Sequence, residues 1–422
     1  MKRVDQSDIQ GNIMCGYRRT FPHALFAFVR VTRPAVARRW VGELAERVTT
    51  ALPWGDAPPS TTLNVAFSFA GLRALGLPEP VLSSFPTPFS DGMEARAGLL
   101  GDADECAPER WEPGLRSLHA VVTIYAQERT SRSRARAELK RTEPGAGIKI
   151  VRIQETDRLD GDREPFGFRD GIAQPDIKDR DAGPHPRDVE VEPGEFVLGY
   201  RDEGGGIPEP PRELGLNGSY MVVRKLEQDV HGFWDFARAE AGDQAEWFAA
   251  KLVGRWRDGT PLVSSLTAPA NGDEGDLRRL NDFAFARDVY GYGCPLGAHI
   301  RRTNPRDALD RRGRFSRRHR IIRRGMPYAE DGAVGLMFVC WQADIERQFE
   351  FIQSQWCGQG NAFGLGADPD PVMGPGGGKV TINGVPPRIV PLRRFVMTRG
   401  GDYFFAPGIQ ALRRIAAGGA TP

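Results

Sequence analysis

Cysteine is scarce in this sequence and never stands in a pattern that binds metals or forms bridges. The five cysteines are scattered, and no two have a C-x-x-C spacing: Cys15, Cys106, Cys294, Cys340 and Cys357. An odd, scattered set disfavours a disulfide framework and a structural zinc site. It fits a reducing compartment.

Long apolar runs and an excess of charge of one sign are also missing. No apolar stretch approaches the roughly 18 residues that span a bilayer, and residues 1–8 contain no apolar core of a signal peptide. Lys and Arg number 57 against 55 Asp and Glu, which gives a net charge of +2. We therefore expect a cytoplasmic protein that binds neither membranes nor nucleic acids.

The two halves of the chain repeat a strand-then-helix pattern. The apolar run at 24–31 predicts a buried strand, and residues 34–48 then predict an amphipathic helix opened by proline. In the second half, 218–226 predicts a strand and 227–241 a helix. A further strand and helix follow in each half, at 118–125 with 129–140 and at 334–341 with 345–356. The pattern predicts an α+β fold duplicated within the chain.

A Gly/Pro-rich stretch at 204–211 separates the two halves. We predict an N-terminal domain over residues 1–205 and a C-terminal domain over residues 216–422. The alternative is that 204–211 is a loop within one large domain.

Two motifs each place one chemically active side chain in a constrained backbone. Asp170 stands in the string 166–175, FGFRDGIAQP, and His299 in the string 297–306, GAHIRRTNPR. Taken alone, Asp170 could be a turn residue that accepts backbone hydrogen bonds beside glycine. His299 could equally be a structural or surface histidine, since the chain has only six and none has a metal-chelating neighbour in sequence.

Together the two strings resemble the signature of the dye-decolourising (Dyp-type) haem peroxidases. The resemblance covers nearly the whole chain, with further landmarks such as DIQGNI at 8–13 and RGGDYFF at 399–405. It is greatest for the larger subgroup of fungal and long bacterial members. It implies two ferredoxin-like domains, with haem b in the C-terminal one. Because the C-x-x-C-H sequence that attaches haem covalently is absent, the haem is expected to be bound non-covalently.

The resemblance also implies roles for individual residues. His299 corresponds to the proximal ligand of the iron and Asp170 to the distal base. Among Arg317, Arg318, Arg320, Arg323 and Arg324, the family pattern selects Arg323, three positions before Met326-Pro327-Tyr328, as the distal arginine. Gly325 stands where some relatives carry Asn, so one distal hydrogen bond is expected to be missing.

Three further residues are expected to surround the haem. Leu336 and Phe338 alternate on a predicted strand and so face one side. They resemble the apolar residues that narrow the distal pocket, although ordinary core packing explains them equally well. By resemblance, Asp370 is the carboxylate that receives the second N–H of the proximal histidine.

Arginine is concentrated between Arg301 and Arg324, which taken alone could indicate a nucleic-acid surface. The near-neutral chain disfavours that reading. An arginine-rich lining for the haem propionates, together with a solvated loop, explains the stretch more simply.

The resemblance implies a peroxidase that reduces hydrogen peroxide and oxidises small organic donors, phenolic or dye-like, through a ferryl intermediate. One alternative is a dedicated haem-dependent tailoring enzyme that acts on a single metabolite. Another is a haem carrier or sensor without catalytic activity. The Asp170 and Arg323 pair argues against the carrier, which has no use for a distal base. The sequence leaves the oligomeric state open.

Overall fold

The centre of the molecule is a nine-stranded antiparallel sheet, to which both halves of the chain contribute. The computed structural model describes residues 3–55, 57–178, 190–269, 279–358, 361–366 and 368–418. Within these ranges no helix is both long and apolar enough to cross a bilayer. His185 lies outside the described residues.

The first half supplies four strands of this sheet, in the spatial order β4-β1-β3-β2. The strands are β1 (His23–Val31), β2 (Thr61–Phe67), β3 (Ala120–Ala126) and β4 (Ile148–Asp157). Helix α1 (Pro34–Ala45) connects β1 to β2, and α2 (Arg129–Ala146) connects β3 to β4. This βαββαβ arrangement is ferredoxin-like.

The second half repeats the arrangement in the order β9-β5-β8, with β6 and β7 both paired to β8. Its strands are β5 (Ser219–Gln228), β6 (Ile322–Arg323), β7 (Met326–Glu330), β8 (Ala333–Gln342) and β9 (Val396–Ala406). Helices α3 (Val230–Ala241) and α4 (Ala245–Val253) follow β5. The predicted duplicated α+β fold with two ferredoxin-like units is confirmed.

Shorter elements fill the connections. The α-helical ones are Gly11–Met14, Phe69–Ala74, Glu79–Leu82, Thr87–Ala95, Ala97–Leu100, His299–Thr303 (α5), Arg314–Arg318 and Ile409–Ala416 (α6). Two small sheets pair Asp176–Ile177 with Glu190–Val191 and Lys379–Ile382 with Arg388–Pro391.

The predicted elements and the observed ones differ mainly at their ends. Strand β5 runs to Gln228, so the helix expected from residue 227 begins only at Val230. The Asp229 carboxylate caps this helix by accepting a hydrogen bond from the Gly232 amide at 2.8 Å. The helix expected over 345–356 is widened into π-type turns, Glu346–Glu350 and Ile352–Gly358. One of its hydrogen bonds runs from the Glu350 amide to the Ile345 carbonyl, five residues back.

The two halves meet where β2 pairs with β9, at Phe67 and Phe405. One hydrophobic core extends across this junction and contains side chains of both halves, among them Leu25, Tyr220 and Leu412. The Ile409 amide also donates to the Asp8 carbonyl at 2.8 Å, which ties α6 to the start of the chain. The boundary between residues 205 and 216 stays a prediction.

We expect Phe405→Ala to destabilise the fold strongly, because the ring is fully buried and contacts Phe85 and Tyr220 at centroid distances of 5.2 and 5.8 Å. Removing a buried phenylalanine costs about 3–5 kcal/mol of the free energy of unfolding, which urea denaturation measures. The control Ile207→Ala, at a side chain that is 65% exposed, should change that free energy by less than about 0.5 kcal/mol. Equal losses in both variants would contradict this account of the junction.

Candidate active site

A cavity lies against one face of the sheet in the second half of the chain. Leu226 on β5 and Leu336 on β8 are opposite each other in register and line its floor, together with Phe338. The loop that carries Asp170 and helix α5, which begins at His299, complete its walls. The structure therefore brings five of the predicted site residues to one cavity: Asp170, His299, Arg323, Leu336 and Phe338.

His299 is held by the buried carboxylate of Asp370. Its Nδ1 lies 3.1 and 3.0 Å from the two carboxylate oxygens. Because a carboxylate only accepts, Nδ1 carries the proton and donates it. In the neutral imidazole, Nε2 then keeps the lone pair that a metal ligand needs. The structure thus brings Asp370 to His299, and its role behind a haem ligand stays a prediction.

The Asp370 carboxylate is also fixed from behind, since its Oδ1 accepts the amides of Val372 and Met373, both at 2.8 Å. Burial by itself raises the pKa of Asp370, but its interactions with His299, the Met373 amide and Arg302 outweigh burial and hold that pKa below its ordinary value. Asp370 therefore remains an anion that orients the imidazole.

Two arginines beside His299 are structural and point inward. Arg302 is fully buried and donates to the carbonyls of Trp356, at 2.6 Å, and Asp368. Arg301 donates to the Cys294 carbonyl at 2.7 Å and pairs with Asp288 at 3.0 Å. They fix helix α5 to its surroundings, so at these two positions the expectation of a propionate lining or a solvated loop is wrong. Arg306 and Arg320 do line the cavity.

Asp170 stands on a tight turn whose glycines have positive φ angles, +96° at Gly167 and +76° at Gly171. A φ of +96° is a backbone conformation that residues with a side chain rarely adopt, so the position of Gly167 favours glycine. The Asp170 amide donates to the Asp162 carbonyl at 2.8 Å. The turn is therefore rigid and presents the carboxylate to the cavity.

The ion partner of Asp170 is Arg18, which sequence reasoning missed. The Arg18 Nη1 atom lies 2.8 Å from Asp170 Oδ2. Burial raises the pKa of Asp170, but the charges of Arg18 and Arg323 and the Gly171 amide outweigh it and hold that pKa below its usual value. Asp170 is consequently ionised at neutral pH and can accept a proton.

Arg323 faces the cavity from β6, and its Nη2 donates to the Ala173 carbonyl at 3.3 Å. The next residue points away, since Arg324 Nη2 donates to the Met14 carbonyl at 3.2 Å. Of these two, Arg323 alone lines the cavity, as the family pattern implied. Gly325 also lines it.

Glu164 is a second carboxyl at the cavity wall that the sequence did not single out. Its oxygens accept from the Phe168 amide at 2.9 Å and from Gln228 at 2.7 Å. Burial raises the pKa of Glu164 despite these hydrogen bonds. The sequence signal that could have indicated Glu164 is its position six residues before Asp170.

Comparison with known proteins identifies the family. Residues 8–165 match the DyP dimeric alpha+beta barrel domain, and residues 207–363 match the C-terminal domain of Dyp-type peroxidases. Dye-decolorizing peroxidase msp1 of Mycetinis scorodonius is 30% identical to this chain, over 98% of this chain and 88% of its own length. The chain belongs to the Dyp-type peroxidases.

Solved structures of this family agree with the fold. An ancestral D-type dye-decolorizing peroxidase superposes with a TM-score of 0.84 at 29% identity, covering 98% of this chain and 99% of that one. A dye-decolorizing peroxidase in complex with 2,6-dimethoxyphenol gives a TM-score of 0.84 at 27% identity, covering 97% and 99%. This Dyp-type chain is of the fungal and long type, and it is a haem-dependent peroxidase that acts on hydrogen peroxide and organic donors.

The residues of the cavity suit haem. His299 offers one imidazole nitrogen, backed by an anionic carboxylate as in many metal sites. Leu336 and Phe338 provide apolar wall for a flat macrocycle, and Arg306 and Arg320 provide positive charge for its carboxylates. These are the residues that would hold the group.

We expect His299→Ala to lose the Soret absorption of the purified protein or to retain haem only weakly, because the variant removes the imidazole. Absorption spectra and the haem-to-protein ratio measure this. His231 is exposed at the start of α3, so His231→Ala should bind haem like the unchanged protein. An unaltered spectrum in His299→Ala would remove this residue as the ligand.

Asp370→Asn should keep haem but raise the reduction potential of its iron. The neutral amide no longer makes the imidazole electron-rich, so the ferric state loses stabilisation. Spectroelectrochemical titration measures the potential. The control Asp368→Asn alters a buried carboxyl for which no contact with His299 is seen. If Asp370→Asn left the potential unchanged, the pairing would have no electronic role.

Proposed function

We propose that His299 ligates the iron of a non-covalently bound haem b and that Asp170 and Arg323 act on hydrogen peroxide in the same cavity. The observation that carries the proposal is that two differently held carboxylates serve one cavity, Asp170 in its wall and Asp370 behind the wall residue His299. Asp370 is bound to an imidazole and fixed there, whereas Asp170 is an ionised group at the cavity wall. The first suits orientation of a metal ligand and the second suits proton transfer.

In this mechanism Asp170 takes the proton from one oxygen of hydrogen peroxide and returns it to the other, so that water leaves as the O–O bond breaks. The protonation of Asp170 is the same before and after. The Arg323 guanidinium stabilises the negative charge that develops on the departing oxygen. Haem, when bound, would supply the redox chemistry that links the two-electron reduction of peroxide to the one-electron oxidation of organic donors.

The donors we propose are phenolic or dye-like compounds. The dye-decolorizing peroxidase solved with 2,6-dimethoxyphenol, which shares the fold, supports this class. Gly325 gives the cavity wall no side chain at this position. The side-chain amide that Asn provides in some relatives is therefore missing here.

We further propose a cytoplasmic protein that does not act on nucleic acids. All five cysteines are free thiols, which fits a reducing compartment. Arg301 and Arg302, which belong to the arginine-rich stretch, are buried, so their charges are not on a surface that nucleic acid could contact.

The direct test is the visible spectrum of haem-reconstituted protein before and after one equivalent of peroxide. A spectral change that reverses when an anthraquinone dye is added supports peroxidase turnover through this site. A Soret band indifferent to peroxide would favour haem carriage or sensing.

We expect Asp170→Asn to bind haem normally but to react with peroxide roughly 10²–10⁴-fold more slowly, because the amide cannot accept the proton. Stopped-flow absorption at neutral pH measures this rate. Asp160 is exposed on the preceding loop, so Asp160→Asn is a matched control expected to react at the unchanged rate. A fast Asp170→Asn reaction would assign the proton transfer to another group.

A further inference from the structure

Arg18 reaches Asp170 from a distant part of the chain. It lies in the single helical turn Tyr17–Arg19, before β1. Its Nη1 atom is 2.8 Å from Asp170 Oδ2, and its side chain is only 16% exposed. A pair so shielded from water is screened far less than a surface ion pair.

Arg18 is itself fixed at several points. Its Nη2 donates to the Arg163 carbonyl at 3.0 Å, and its Nε lies 3.9 Å from Asp162. Arg163 in turn donates to the Gly167 carbonyl at 2.6 Å, across the turn that carries Asp170. The guanidinium therefore joins the Asp170 turn to the N-terminal segment and cannot follow the carboxylate freely.

Several other charged groups surround Asp170. Asp162 and Glu164 precede it on its own loop, and Arg323 approaches from β6. Other cationic side chains at the same cavity are Arg169, Arg224, Arg255, Arg306 and Arg320, and His299 lies at its wall. Burial raises the pKa of Glu164 and so weakens its negative charge. The balance around Asp170 is positive, and Arg18 supplies its direct ion pair.

We propose that Arg18 is the positioning residue for Asp170, holding its carboxylate in one orientation and in the ionised form at the cavity wall. This inference rests on the proposed role of Asp170 as the proton acceptor. Arg18 touches neither peroxide nor haem in this proposal and acts only through Asp170.

Two consequences follow for the proton transfer. The ion pair keeps Asp170 ionised, and so able to accept a proton, under more acidic conditions than an unpaired carboxyl would allow. A protonated Asp170 also loses most of its attraction to Arg18. The proton taken from the first oxygen of peroxide is therefore passed on to the second oxygen, and the ion pair re-forms.

The test compares Arg18→Gln, which removes the charge, with Arg18→Lys, which keeps it. Arg19 is the matched control, because it is 45% exposed and pairs with Asp162 at 3.3 Å rather than with Asp170. The first measurement is the rate of reaction with peroxide as a function of pH. In Arg18→Gln the pH below which the rate falls should move up by about one unit. Below that pH the variant should react about tenfold more slowly than the unchanged protein. Arg18→Lys should recover part of the shift, and Arg19→Gln should show none.

Cyanide binding to the resting haem protein provides a readout without turnover. Hydrogen cyanide must give up its proton when it binds as the anion, so a base in the cavity governs its association. The pH profile of cyanide association should shift in Arg18→Gln in the same direction as the peroxide profile. In Asp170→Asn the same Arg18 substitution should shift nothing.

A double-variant cycle on the full-length protein tests the contact itself. Urea unfolding of Arg18→Gln, Asp170→Asn and the combined variant should be non-additive, with a coupling of at least about fivefold in the unfolding equilibrium constant. Matching acidic limits in Arg18→Gln and the unchanged protein, or additive unfolding, would overturn the proposal. If the protein does not turn over peroxide but its cyanide profile still shifts in Arg18→Gln, the proposed function is rejected. The pairing of Arg18 with Asp170 is then still supported.

Discussion

The pairing of β2 with β9 is the constraint on which the rest of the structure depends. Phe67 and Phe405 join the four strands of the first half and the five strands of the second half into one sheet, and the core beneath them belongs to both. The site combines side chains from both halves, with Asp170 from the first and His299 and Arg323 from the second. Their relative position is therefore fixed by the sheet and its shared core. It does not depend on the flexibility of a linker between the halves.

Buried arginine is the second recurring feature. Arg302 satisfies backbone carbonyls around α5, and Arg224 on β5 forms a buried pair with Asp102 of the first half. Such groups are costly to bury unless they are paired and hydrogen-bonded. In return, each one fixes the direction of a loop that carries no regular structure. The cavity walls are consequently rigid even where they are built from loops.

The sequence predicted most of the fold, and it singled out residues that the structure brings to one cavity, for identifiable reasons. Continuous apolar runs predict buried strands locally, and the strings around Asp170 and His299 are long enough to resemble one family. Arg18 could not be found this way, because its partner lies 152 residues away and nothing in Tyr17-Arg18-Arg19 is unusual. Arg301 was misjudged since charge in sequence does not indicate whether a side chain faces inward. The start of α3 was predicted three residues too early, at 227, because β5 pairs with β8 and β9 as far as Glu227 and Gln228.

The junction at Phe405 also has a consequence for synthesis of the protein. Strand β9 is the last strand of the sheet to leave the ribosome, long after β1 to β4 are complete. Until then β2 is an edge strand with unpaired backbone groups, which is a site for unwanted association between nascent chains. The first unit thus spends the translation of more than half the chain with an open edge, and chaperone demand should be concentrated in that interval.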